Sequence, residues 1–98
     1  MSIQISPTLV PRKAAHLTAT VLPDGRWLLY NAAARTAVTL TASAGILWEL
    51  CDGQTAVPGL IEQLQELYPD TPVSQIEAET VRMLCQLLEQ ELVTSRAG

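Results

Sequence analysis

The period of the hydrophobic positions changes once along this chain. In residues 16–22, Leu17, Ala19 and Val21 alternate with Thr18 and Thr20. In residues 26–31, Trp27, Leu29 and Asn31 share one face, and Leu28 and Tyr30 the other. In residues 36–40, Thr36, Val38 and Leu40 alternate with Ala37 and Thr39. A period of two belongs to strands, whose successive side chains point to opposite faces. Pro23-Asp24-Gly25 is a turn tripeptide, with proline fixing φ and glycine accepting a positive one. Residues 31–35 make a looser connection. Two successive hairpins predict a three-stranded antiparallel meander with its third strand at an edge.

From Thr41 onward the period becomes helical. Thr41 is placed to cap a first helix through its hydroxyl. Ala44, Leu47, Trp48 and Cys51 recur at three- and four-residue intervals as one buried stripe. Gly53 follows where a left-handed backbone ends the helix. Thr55 is the expected cap of a second helix, and Pro58 fits its first turn, where a missing N–H does no harm. Val57, Leu60, Ile61, Leu64, Leu67 and Tyr68 keep the helical period, Glu62, Gln63, Gln65 and Glu66 face water, and residues 69–72 with two prolines stop the helix. A third helix is expected over about residues 73–90. At 100° per residue its core line runs through Glu77, Val81, Leu84, Leu88 and Leu92. Cys85 and Ala78 flank that line on one side, and Ile76, Met83 and Leu87 on the other. This apolar arc is wider than one small layer requires, so one flank is a candidate groove wall. Periodicity alone favours a central helix that touches both other helices and the sheet.

Composition narrows the function. A chain of 98 residues, 48% hydrophobic and 16% charged, suits one ordered domain with a modest core. So few charges over so many apolar residues also point to apolar surface kept for a partner. The net charge of −4 argues against nucleic acid, whose phosphates need clustered Lys and Arg. The N-terminus lacks a signal-peptide layout, and no apolar run approaches the ~20 residues of a membrane span. A cytoplasmic protein without membrane contact is the expectation. The two cysteines lack CxxC spacing and the single histidine lies on another element, so buried thiols are expected, with no metal site and no disulfide. One histidine and no Gly-rich phosphate loop leave no material for a catalytic site, and no cofactor is expected. Asp52 beside Gly53 reads as a turn residue.

The order of these motifs resembles the PqqD family, small peptide chaperones also called RiPP recognition elements. The resemblance rests on Asp24-Gly25, Leu40-Thr41, Ser43-Ala44, Leu47-Trp48, Leu50 and Asp52-Gly53. It continues through Thr55, Val57, Ile61, Leu64 and Tyr68 to Val81, Leu84, Leu87, Leu88 and Leu92-Val93. Roughly residues 16–93 take part. Each motif alone is common; their order and spacing together are fairly specific. Thr41 stands where asparagine is common, and Glu91 where the family often has glycine.

The resemblance implies an α+β, winged-helix-like fold, a three-stranded antiparallel sheet followed by three helices, occupying residues 15–94. Residues 1–14, which carry Pro7 and Pro11 and no hydrophobic period, read as a flexible or extended arm, and 95–98 as a tail. The resemblance further implies a non-enzyme that holds the leader of a ribosomally made precursor peptide. That leader is presented to a modifying enzyme, commonly a radical SAM enzyme, in the biosynthesis of pyrroloquinoline quinone or another peptide product. The leader would add as a strand along Arg35, Thr36, Ala37, Val38 and Thr39, with Thr80, Met83, Leu87 and Ile76 facing the groove. Arg35 and Arg82 are candidate partners for acidic leader residues, although a solvated charge is the commoner role. Two other readings remain. A winged-helix DNA-binding regulator fits the fold class but not the scarcity of cations on the second and third helices. A structural subunit that pairs its exposed edge with its own copy, forming a homodimer, would mask the same edge.

Overall fold

A computed structural model describes residues 5–96. Its element order is β1 (Val10–Lys13), β2 (Leu17–Val21), β3 (Trp27–Asn31), β4 (Thr36–Leu40), α1 (Ala42–Leu50), α2 (Val57–Leu67), α3 (Val73–Glu89) and β5 (Val93–Arg96). The meander is present, with strand order β2-β3-β4 and both neighbouring pairs antiparallel. Alternation sorts its faces as expected on β3 and β4. Leu29 and Leu40 are buried and Val38 half-buried, while Tyr30, Ala37 and Thr39 are exposed. β2 is exposed beyond Leu17, with Val21 57% accessible, so that hairpin projects past the helical layer.

The glycine of the first hairpin operates as its turn requires. Gly25 has φ 91 and donates its N–H to the Leu22 carbonyl, while the Leu22 N–H donates to the Arg26 carbonyl. Thr41 caps α1 by accepting the Ala44 N–H at 3.2 Å. The face of α1 carrying Ala44, Leu47 and Trp48 is buried, with Cys51 beyond it. Gly45 lies against the Trp27 ring, where an added Cβ would overlap the indole. Trp27 in turn meets Trp48 edge-on at 6.3 Å between ring centroids.

A second, two-stranded sheet pairs β1 with β5, from Val10↔Arg96 to Lys13↔Val93. The expected flexible or extended arm is therefore a strand over Val10–Lys13, and Ser95 and Arg96 of the expected tail complete β5. The remainder of both segments, residues 1–4 and 97–98, lies outside the described residues. β1 and the strap before it also bond to the segment that joins α1 to α2 and to the start of α2. The Pro11 carbonyl accepts the Gly53 N–H at 3.0 Å, and the Leu9 carbonyl accepts the Val57 N–H at 3.2 Å. Gly53 has φ 77 and a Cβ there would stand 3.0 Å from that of Arg12, so both conformation and space call for glycine.

The start of α2 departs from expectation. Its cap is Ala56, without a side-chain bond. The strap carbonyl of Leu9 serves the first N–H instead, and Thr55 turns its hydroxyl to Asp52. Pro58 does stand in the first turn. Leu67, expected in the core stripe, is 54% exposed, because the α2 stripe narrows to Val57, Leu60 and Leu64.

Asp52 organises this junction. Its carboxylate accepts the Gln54 N–H, the Thr55 N–H and the Thr55 hydroxyl. These bonds favour the charged form, so its pKa lies below the usual aspartate range. A lowered folded-state pKa adds stability above the unfolded-state value, and that stability fades as pH falls through the folded one. Asp52→Ala should lower Tm at neutral pH. The gap from the parent should close as pH drops below about 4, the ordinary aspartate pKa. Thermal melts across pH 2–7 measure it, and a constant gap would contradict this role.

Candidate functional site

The hydrogen-bond phase of the meander decides which backbone groups are available. The Leu22 N–H to Arg26 carbonyl bond, 2.7 Å, makes those two directly opposed residues a hydrogen-bonded pair. In an antiparallel ladder such pairs alternate with pairs that turn their polar groups away. Leu28 and Tyr30 of β3 therefore point their backbone groups toward β2, and Trp27, Leu29 and Asn31 toward β4. Across β4 the bonded residues are then Leu40, Val38 and Thr36, opposite those three. Ala37 and Thr39 are left with N–H and C=O directed to the free edge. β4 has no neighbour on that side. An extended chain laid there meets two donors and two acceptors already aligned.

A pocket of about 90 Å³ opens where the start of α1 meets α2 and α3. Ser43, three residues past the end of β4, forms one wall, Leu64 and Tyr68 of α2 a second, and Ile76, Glu79, Thr80 and Met83 of α3 a third. Its volume is below the ~150 Å³ of an enclosed cavity that admits benzene, which suits a small side chain. Glu79 brings a carboxylate to the lining, which Arg82 approaches at 4.0 Å.

The face of α3 differs from the sequence expectation. Ile76, Thr80, Met83, Leu84 and Leu87 are buried, whereas Glu77 and Val81, placed on the core line, are exposed, Val81 at 39%. The wide apolar arc left the rotation of the helix undetermined. Packing of α3 against α1, α2 and β5 turns the Ile76–Met83–Leu87 flank inward. The proposed groove residues consequently divide. Ile76, Thr80 and Met83 line the pocket while belonging largely to the core. Thr80 has no exposed surface and satisfies its hydroxyl by donating to the Ile76 carbonyl at 2.7 Å. Leu87 is 1% exposed and outside the pocket lining, so its side chain serves the core.

On β4, Ala37, Thr39 and Thr36 are exposed and Val38 half-buried. Arg35 precedes the strand, exposed and with φ 55, in the left-handed region. Ser43, Leu64, Thr71, Gln75 and Glu79 line the pocket without being expected site residues; Ser43 and Leu64 belong to the family pattern. Tyr68, the aromatic that closes α2 in the family pattern, was the available signal for that end of the pocket.

Other candidate chemistry has a structural role. Cys51 is buried, its thiol donates to the Leu47 carbonyl at 3.2 Å, and burial pushes its pKa up to about 12. No disulfide joins it to Cys85. Among the described residues, no group of His, Cys, Asp and Glu side chains could hold a metal ion, and no helix is long and apolar enough to cross a membrane. Glu91, at the position where glycine is common, has φ 59 as α3 turns into β5. That conformation is the physical reason for glycine there.

None of the curated proteins compared with this chain matches it. Among solved structures, TbiB1 in complex with the TbiA(beta) leader peptide superposes with a TM-score of 0.71 at 16% identity, over 89% of this chain and 99% of that one. Identity that low supports the fold and nothing finer. The family described as "Coenzyme PQQ synthesis protein D (PqqD)" matches residues 26–93, from the second strand of the meander through all three helices to the start of β5. That span includes the Thr41 cap, the Trp48 stripe, the Gly53 turn and the free β4 edge, and it places this chain in the PqqD family.

Proposed function

We propose that this protein is a leader-peptide adaptor. It holds the leader of a ribosomally made precursor as an added strand on β4 and presents it to a modifying enzyme, commonly a radical SAM enzyme in this family. The observation that carries the reading is the outward-facing backbone of Ala37 and Thr39 on the free edge of β4, with a small pocket at the start of the following helix. Backbone hydrogen bonds would supply affinity along residues 35–39, and Ile76 and Met83 would choose the side chain that enters, with Thr80 fixed behind them. TbiB1, which shares the fold, was solved with a leader peptide. An edge left open in so small a protein is an aggregation hazard unless a partner uses it.

The protein performs no chemistry in this scheme. Any iron–sulfur or SAM cofactor belongs to the enzyme, and the protein acts in the cytoplasm, where precursor peptides are made. Fluorescence anisotropy with the labelled leader of a precursor encoded beside this gene tests the proposal. Saturable binding is expected, with a control peptide of scrambled sequence binding at least about tenfold more weakly, a difference of about 1.4 kcal/mol. Equal affinity for both peptides, or none, would overturn it.

A further inference from the structure

A second concavity lies on another flank of the α2–α3 pair. Its volume is about 470 Å³. Ile5 of the N-terminal strap, Ile61 of α2 and Val81 of α3 give it an apolar lining, and Glu62, Gln65 and Glu77 bring polar groups to the same groove. Glu77 and Val81 each follow by one residue a wall of the smaller pocket, Ile76 and Thr80. Each step turns ~100° about the α3 axis. The groove and the proposed leader site therefore lie on different flanks, and both can be occupied at once.

The charge around this groove is not balanced from within. Neither Glu62 nor Glu77 makes an ion pair among the described residues. Arg82 is the sole cation of α2 and α3, and it approaches Glu79, on the lining of the other pocket. Apolar floor and unpaired carboxylates together fit one kind of occupant.

We infer that this groove docks a cationic segment of a partner protein, with one or two aliphatic side chains seated between flanking Lys or Arg residues. Resting on the adaptor reading, the partner is the modifying enzyme to which the leader is delivered. The aliphatic anchor desolvates against Ile61 and Val81, and the flanking cations meet Glu62 and Glu77. A basic counter-surface also steers encounter with an acidic adaptor, and that contribution weakens as salt screens it.

The test is an amide NMR titration of the full chain with three short synthetic peptides. One has a Leu-Leu core between paired lysines, one replaces the lysines with glutamates, and one replaces the leucines with serines. Saturable shifts at Ile61, Glu62, Glu77 and Val81 are expected with the first alone. The double variant Glu62→Lys/Glu77→Lys should weaken that binding about tenfold and leave affinity for a leader peptide unchanged. Absent or non-saturable shifts, shifts centred on β4, or equal binding by the serine peptide would each overturn the inference. The two proposals fail separately: leader binding without lysine-peptide binding removes the dock and spares the adaptor. The converse spares the groove and removes its assignment to the enzyme.

Discussion

Ala37→Pro and Thr39→Pro should each weaken leader binding by about tenfold or more while leaving the fold in place. The N–H of each residue faces the free edge of β4, so proline removes a donor that the sheet itself does not use. A net backbone hydrogen bond contributes about 0.5–1.5 kcal/mol. The proline ring also stands where the added strand must approach, which carries the loss past the single bond. Val38→Pro is the matched control. Its N–H faces β3, so the same substitution one residue away breaks the ladder and should lower Tm sharply. Circular dichroism melts and leader anisotropy on the three variants separate the effects. Equal leader affinity for Ala37→Pro, Thr39→Pro and the parent would show that the leader does not use this edge.

Trp48→Ala should cost about 3–5 kcal/mol, the largest stability loss of any single truncation in this chain. The ring is 4% exposed, packs edge-on to Trp27, and lies 5.4 Å beneath the Lys13 ammonium. Its Nε1–H donates to the Leu92 carbonyl at 3.0 Å, tying α1 to the turn between α3 and β5. Removal leaves a cavity and takes away one of the two donors to the Leu92 carbonyl, which keeps the Ala14 N–H at 3.0 Å. For a domain near this size each kcal/mol shifts Tm by about 4–8 °C, so a fall of more than about 12 °C is expected. Trp48→Phe keeps most of the ring and loses the hydrogen bond, and should cost about 0.5–1.5 kcal/mol for that bond, since the Leu92 carbonyl keeps the Ala14 N–H. Chemical denaturation of the two variants measures both, and similar losses would show that the Leu92 bond, not the ring volume, dominates.

Where local chemistry decides the structure, the sequence was legible. Alternation fixed the faces of β3 and β4, Thr41 capped α1, and Gly25 and Gly53 took the positive φ their turns require. Periodicity does not reveal rotation when apolar residues spread widely around a helix. Glu77 and Val81 were therefore set on the core line of α3, and only the positions of α1, α2 and β5 show that Ile76 and Thr80 belong there. Nor does a short segment with two prolines announce a strand whose partner lies some eighty residues away. Val10–Lys13 becomes β1 because Val93–Arg96 returns beside it. For the site, β4 could be read directly as an edge from the meander. The pocket could not, since Ser43, Tyr68 and Glu79 meet only after three helices have packed.

The measurement that tests the adaptor reading most directly is amide hydrogen exchange of the protein with and without its leader peptide, resolved to single residues by NMR. With β4 as the docking edge, Ala37 and Thr39 change from fast to protected on binding, while Thr36, Val38 and Leu40, already bonded to β3, change little. Protection appearing instead at Leu17, Ala19 and Val21, whose backbone groups face the other open edge, or at neither edge, would contradict it.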